Sequence, residues 1–579
     1  MINFLRFLFV LFVITLSSAI IYYAQYSPFT GIDDAYIYFV YAKNFANGHG
    51  FVYNVGGEHV EGFTSMLWLL IVSLFYKIST LKFQWIITAF NVLLISYALY
   101  KVVKFIDSFY VKEKQKVISA LAAFFLVIVV IVKGYLDWTI FSLLETGMWS
   151  SLLILTSMHL MEMAATGTKS PKANLYLGIL LGILVFTRPE SLLWGVVFIS
   201  LYVLICWNQQ KDLLKAIRSA ILPAVLFITS GVALIVFRLQ YFGYPFPNTY
   251  YAKVSTNRFY NFKEGVSYLA KYLFVYPLYI LPLIVMLFTF IMVIVNWKRT
   301  RAINNFSNNE LSQITNLVIM FTALVIPFTT GGDHFSLFRL YQPLVPVFLL
   351  PLFNIEFIKN NFFSKWPRTS FKIALLFLLI PFVFLSNIPK YFLDNVSYMI
   401  DPSMTSLVLG FGPTEENKRH SDSLNYFFQS NPKPAIGRIT AGGYAFGYAG
   451  STIDLLGLNN TMMAHAIKEK VGYKSHAAFD KKTFYKLKVD MLESLIVKDS
   501  AKFSLPENDT TVFNRNFESS VLKNIYRDRE FVESYIPVLI NSNSSPYAVF
   551  TYVRKDYADT LTKKGYTVKP LKRDFAPAN

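Results

Sequence analysis

Apolar stretches separated by short polar loops run through the first two thirds of this chain. They lie near 3–23, 84–104, 117–133, 147–163, 174–187, 191–207, 218–237, 271–296, 313–330, 340–358 and 371–388. A helix needs about 20 predominantly apolar residues to cross a bilayer. The eleven runs therefore predict eleven transmembrane helices, of which 174–187 is short and must borrow from its flanks. The first run is long for the core of a signal peptide. It ends in Ile20-Ile21-Tyr22-Tyr23 rather than in small residues, so we read it as an anchor. A shorter apolar run at 63–76 predicts an amphipathic helix on the membrane surface.

Beyond residue 388 the long runs stop, charge rises and short β-rich stretches appear. Two of them, 535–540 and 547–553, flank Asn541–Pro546 and predict a hairpin, with Pro537 placing its strand at a sheet edge. Helical patterning recurs near 415–429 and 480–498. The glycines of Thr440–Gly450 have the wrong spacing and flanks for a nucleotide-binding loop and read as a turn. The expected organisation is a transmembrane domain over 1–388, with a first external loop at 24–83, and a soluble α/β domain over 389–579. No internal repeat or low-complexity segment is visible.

Composition narrows the class. Of 579 residues, 54% are hydrophobic, 17% aromatic and 15% charged, against roughly 25% charged in a soluble domain. A disordered chain, a coiled coil and a nucleic-acid-binding domain are disfavoured; a polytopic membrane protein remains. The net charge is +19, with 29 basic and 15 acidic residues up to 388 and 25 and 20 after it. The excess thus sits in the membrane half and reports topology. The single cysteine, Cys206, excludes an intrachain disulfide and a cysteine metal cluster.

Eleven crossings with the N-terminus inside place Lys101, Lys104, Lys112, Lys114, Lys116, Lys169, Lys172, Lys211, Lys215, Arg218, Lys298, Arg299, Arg301, Lys359, Lys365, Arg368 and Lys372 on the inner side. This obeys the positive-inside rule, whereas counting 63–76 as a crossing would reverse it. Residues 389–579 then lie outside. The same topology gathers Asp33, Asp34, Glu58, Glu61, Asp137, Glu145, Glu190, Glu264 and Asp333 on the outer face. Charges near hydrocarbon are costly, so their gathering at one face predicts a polar cavity opening there.

The first outer loop carries Asp33-Asp34 followed by helix-compatible sequence rich in Tyr and Phe, with Gly48 placed as a stop. This predicts an interfacial helix with two carboxylates at its start. One Asp would serve as an N-cap; the second is left over. A carboxylate here could take a proton from an acceptor hydroxyl, or the pair could hold a divalent cation. His49 and His59 read as polar loop residues. Elsewhere on the outer face, Arg188, Lys253, His334 and Arg339 are candidates to hold an anion. Glu145, Glu190, Tyr250 and Asp333 are candidate binding residues. Each also has a plain structural reading: an Arg188–Glu190 pair closing a helical hairpin, interface anchoring for Lys253, a cap and turn at Asp333-His334, snorkelling for Arg339 and a helix N-terminal acid for Glu145.

Several segments in collinear order carry a resemblance. They are DDAYIYFVYAKNFANGHGFVYN (33–54), VEGFTSMLW (60–68), LETGMW (144–149), FTRPES (186–191), FGYPFPNTYYAK (242–253), GGDHFSLFRLYQPLVP (331–346) and IDLLGLNN (453–460). Together they resemble GT-C glycosyltransferases, the branch of the mycobacterial terminal arabinofuranosyltransferase and related bacterial proteins. Val40 and Leu144 depart from that pattern, which usually has Arg and Met there. The resemblance implies a multi-pass enzyme of a bacterial plasma membrane that moves a sugar from a polyprenyl-phosphate donor to an extracytoplasmic glycan or lipid acceptor, with the site and the C-terminal domain outside. It implies an Asp of the first external loop as base, Asp33 ahead of Asp34. A phosphate is already a good leaving group, so such a transfer needs a base but no strong acid, and single displacement inverts the sugar. The competing reading is a transporter or flippase of a lipid-linked glycan. That would place polar residues near the midplane of repeated halves, which this sequence does not show.

Overall fold

The computed structural model describes residues 1–27, 31–111, 116–167, 170–300, 305–354, 358, 365, 367–386, 408–500, 503, 520–543 and 545–572. Lys112, Lys114, Lys169, Arg301, Lys359, Ser544 and the expected 388/389 boundary lie outside the described residues.

The membrane half is a bundle of helices: α1 (Ile2–Ile21), α2 (Asp33–Ala46), α3 (Met66–Ile78), α4 (Phe83–Phe105), α5 (Ala120–Ile131), α6 (Thr146–Thr166), α7 (Pro171–Val185), α8 (Ser191–Gln210), α9 (Leu213–Tyr241), α10 (Asn248–Lys253), α11 (Arg258–Val275), α12 (Ile280–Thr300), α13 (Asn308–Thr330) and α14 (Val345–Leu349). A helix over Arg368–Leu385 follows. Among the described residues, six segments are long and apolar enough to cross a membrane: Ile2–Tyr26, Phe83–Val111, Ser191–Gln210, Leu213–Tyr241, Pro277–Val295 and Asn308–Thr330. The runs read at 117–133 and 174–187 form helices of 12 and 15 residues, and 340–358 breaks into short helical pieces around Pro343, Pro346 and Pro351. Helix α6 has the length to cross but carries Ser150, Ser151, Thr156 and Ser157, all buried. It packs among α4, α7, α8 and α13, so helix neighbours stand where lipid would otherwise demand apolar side chains.

Polar contacts fix the two ends of the bundle. At one end Arg6 of α1 pairs with Asp107 at 3.2 Å and donates to the carbonyls of Val117 and Lys116. Asn208 exchanges hydrogen bonds with Phe306 at the same end. At the other end Tyr26 donates to Asp137. There too Arg238, closing α9, grips Glu61 through Nε and Nη2 at 2.8 and 2.9 Å, both partners buried. Starts and stops alternate between these ends along the chain. The bundle's outward faces stay apolar, with Phe12, Leu16 and Ile20 of α1 and Ile221, Ile228 and Val232 of α9 exposed.

Two local readings change. Helix α2 begins and ends where the sequence places it, with Asn47 as its C-cap, but its N-cap is Ile32; both Asp residues lie in the first turn. Most of its aromatic residues are not on an open surface, although Phe45 is exposed. Residues 35–42 are buried, with Phe39 against Phe83 and Tyr41 against Phe63 of the membrane half and with Tyr36 and Phe39 also against Phe446 of the C-terminal domain.

The C-terminal domain is a six-stranded mixed sheet in the order β2-β1-β3-β5-β4-β6. Its strands are β1 (Ile436–Arg438), β2 (Thr452–Asp454), β3 (Met491–Val497), β4 (Tyr535–Asn541), β5 (Ala548–Arg554) and β6 (Thr567–Pro570). Strands β1–β3 are parallel and β3–β6 antiparallel. The expected hairpin is β4–β5. Strand β4 is internal, however, because β6 adds to its outer side from Val538 to Asn541. Pro537 is tolerated because β6 has ended there and only its carbonyl is used, by the Leu571 N–H at 2.9 Å. The helix read at 480–498 is shorter, Lys481–Leu487. Lys488, at φ 48°, closes it, and 491–497 becomes central strand β3, where two neighbours satisfy its backbone. The Gly442-Gly443 segment is more than a turn: Gly443–Gly447 forms a short helix.

Asp454, in the Ile453–Asn460 motif, is buried. Its oxygens accept the N–H groups of Leu456 and Asn459 at 2.9 and 2.8 Å. Burial pushes its carboxyl up, the amides offset part of that, and it ends at about 6. Between the ordinary 3.8 and about 6 the folded chain holds a proton that the unfolded chain has released. Stability therefore falls as pH rises through that window, by on the order of 3 kcal/mol from this group. Thermal unfolding of the full chain in detergent should show that decline between pH 4 and 6, and Asp454→Asn should remove it.

Candidate active site

A cavity of about 350 Å³ opens at the end of the bundle that carries the C-terminal domain. Chain segments far apart in sequence supply its wall: the start of α2, the loop before α3, the starts of α6 and α8, α10, and the loop after α13. Of the residues singled out from sequence, Asp34, Glu145, Arg188, Glu190, Tyr250, Lys253, Asp333 and Arg339 line it. Asp33 does not, and His334 stands behind Asp333.

The helix explains why the Asp pair divides. Neighbours on an α-helix point about 100° apart, while residues three and four apart share a face. Asp34 therefore lines the cavity with Ile37 and Tyr38. Asp33 points away from it, and its two oxygens accept the N–H groups of Gly442 and Gly443, each at 2.9 Å. Burial pushes the Asp33 carboxyl above its ordinary value, against the pull of those two amides.

Around Asp34 the charges interlock. Lys253 donates to its Oδ2 at 3.1 Å, and Arg339 lies 3.9 Å from the same oxygen. Arg339 also pairs with Asp333 at 2.5 Å and lies over the rings of Phe335 and Trp138. Burial pushes the Asp34 carboxyl up, but Lys253, Arg339 and His334 outweigh it and hold the group below the usual carboxylate range. Asp333 is likewise held well below its ordinary value, Arg339 and His334 overcoming burial. His334 places Nδ1 3.2 Å from Asp333 and packs against His476 of the C-terminal domain.

The opposite wall is a second network. Arg188 bonds Glu145 at 2.5 Å and both oxygens of Glu190 at 2.9 and 3.2 Å, with its guanidinium over the Trp149 ring. The Arg188–Glu190 pair is thus real but is half of a triad: Glu145, at the N-cap of α6, is the other half. Thr64 donates to Glu145 at 3.0 Å, and Tyr38 meets Thr64 at 3.0 Å. Two carboxylates neutralise Arg188, whereas Lys253 and Arg339 face the open space beside Asp34.

Four carboxylates and three basic side chains line the cavity. Among the described residues no group of three or more His, Cys, Asp or Glu side chains is placed to hold a metal ion. Asp33 and Asp34 diverge, and cations already face Asp34, so the pair does not fit a divalent-cation site. Sequence reading missed Tyr38 and Thr64, which brace Glu145, and the domain's own wall residues, Leu458 and Ser475. Helical spacing from Asp34 points to Tyr38; no local signal marks Ser475. Phe246 and Tyr250 form an aromatic rim, rings 5.2 Å apart and partly exposed.

No family model and no curated protein matches this chain. Solved structures do match. The archaeal oligosaccharyltransferase AglB from Archaeoglobus fulgidus, in complex with an inhibitory peptide and a dolichol-phosphate, shows 11% identity and a TM-score of 0.48 over 95% of this chain and 74% of that one. The oligosaccharyltransferase of the same organism in its apo form shows 10% identity and a TM-score of 0.47 over 95% and 74%. In complex with Zn and sulfate it shows 10% and 0.47 over 94% and 73%. At this level of similarity, the functional reading rests on the cavity's own residues.

Proposed function

We propose that this chain is a membrane glycosyltransferase that moves a sugar from a polyprenyl-phosphate donor to an extracytoplasmic glycan or lipid, with inversion. The observation that carries the reading is that, of the four carboxylates lining the cavity, Asp34 lies beside both Lys253 and Arg339, which hold it below the usual carboxylate range. The acceptor hydroxyl gives its proton to Asp34 as its oxygen bonds the anomeric carbon. The bond from that carbon to the phosphate oxygen breaks, and its electron pair leaves on the lipid phosphate. Lys253 and Arg339 hold the growing phosphate charge; hydrogen bonds between ionised partners are stronger than neutral ones and suit a developing anion. An incoming phosphate shares these two cations with Asp34, which weakens their hold on its carboxylate and raises its basicity when the donor is bound. On this assignment Asp34, not Asp33, is the base. Phe246 and Tyr250 at the rim suit the first isoprene units.

We place the site on the outer face of a bacterial plasma membrane, with eleven crossings, the N-terminus inside, and domains at 1–388 and 389–579. The cluster of basic residues in the inner loops supports this, as does the placing of the cavity and the C-terminal domain at one end of the bundle.

Purified protein in lipid nanodiscs, given a panel of polyprenyl-phosphate sugars, tests the reading. Asp34→Asn should lower turnover by roughly 10²–10⁴-fold with its melting temperature unchanged; wild-type turnover in that variant refutes the base. Lys253→Gln and Arg339→Gln should raise the donor KM. Arg188→Gln should instead unfold early, losing about 3–5 kcal/mol, because it strands Glu145 and Glu190; a wild-type melting temperature would show that the triad is not structural.

A further inference from the structure

The flank of α2 that turns away from the cavity is occupied along its length by the C-terminal domain. Each oxygen of Asp33 takes one backbone N–H, from Gly442 and Gly443. A Cβ on Gly442 would stand 1.8 Å from the Asp33 carbonyl oxygen, so the approach requires glycine. One and nearly two turns on, the rings of Tyr36 and Phe39 lie 5.7 and 6.1 Å from that of Phe446, and Lys43 donates to the Phe446 carbonyl at 3.4 Å. Tyr53 donates to the carbonyl of Ala441 at 2.5 Å. The same seated domain supplies Leu458 and Ser475 to the cavity wall.

We propose that Asp33 is a positioning residue: its carboxylate clamps the Gly442 and Gly443 amides, and the clamp sets the rotation of α2 that aims Asp34 into the cavity beside Lys253. The two acidic side chains of one dipeptide thereby have separate tasks, one holding the domain and the other facing the substrate. Because they share one stretch of rigid helix, slack in the first becomes misalignment of the second. Asparagine at 33 offers one acceptor oxygen and turns an amide donor toward the other backbone N–H, so it opens half the clamp without changing size. Only the catalytic consequence rests on glycosyl transfer; the clamp and the aim of Asp34 do not.

Three measurements on the full chain in nanodiscs test it. Hydrogen exchange over residues 441–447 should quicken roughly tenfold or more in Asp33→Asn and in Gly442→Ala, as expected for loss of a hydrogen bond to a charged group, and stay at the wild-type rate in Asp34→Asn. Zero-length carbodiimide coupling of Asp34 to Lys253, followed by mass spectrometry, should fall several-fold in Asp33→Asn and Gly442→Ala. With an active donor, both variants should lower kcat and leave the donor KM near its wild-type value. Wild-type exchange in Asp33→Asn overturns the clamp. Faster exchange with undiminished coupling overturns the positioning role. If no donor is turned over by the wild type, glycosyl transfer falls, and exchange and coupling still decide this proposal.

Discussion

One turn of α2 imposes the constraint on which the site depends. The step of about 100° between helix neighbours sends adjacent carboxylates to different surroundings. Asp33 meets two backbone amides of the C-terminal domain, and Asp34 meets Lys253 at the cavity wall. Because the turn is rigid and buried, the cavity and the docked domain form one unit. Glu61, gripped by Arg238, and Gly62, pressed by Asn459, extend the same joint along the loop before α3.

Charge in the cavity is balanced locally. Asp333 neutralises much of Arg339, Glu145 and Glu190 neutralise Arg188, and Asp34 is left between the two cations that face open space. Isolated charges in such a place would carry a heavy desolvation cost. The paired arrangement offsets that cost at the edge of an apolar bundle. It also distinguishes the basic residues: Arg188 is held between two carboxylates, while Lys253 and Arg339 both face Asp34.

Much of this was legible in the residues. Most of the apolar runs correspond to helices, six of them among the described residues long enough to cross a membrane. Four of the nine carboxylates read as lying on one face line a single cavity with Arg188, Lys253 and Arg339, although Asp34 and Arg339 are some three hundred residues apart. Long apolar runs and costly charges leave few arrangements open. Less legible were features set by neighbours. The serine-rich α6 owes its composition to burial among helices. Strand β3 reads as helix because Met491, Leu492 and Glu493 are good helix formers, and only pairing with β1 and β5 makes the segment a strand; β6 makes β4 internal from outside its own sequence. Ser475 reaches the cavity only because its domain docks there.

The sequence by itself determined a chain of long apolar helices with a cluster of polar residues at one end and an α/β domain after them, since hydrophobic periodicity and the cost of charge in lipid act locally. It could not assign the tasks of Asp33 and Asp34. Side by side in the chain, they have the same chemistry and nearly the same local propensity. Which one faces the cavity depends on the rotation of α2 about its axis, and in the folded chain Asp33 turns instead to Gly442 and Gly443, some four hundred residues away. Local forces form the helix; only packing against a distant segment aims it.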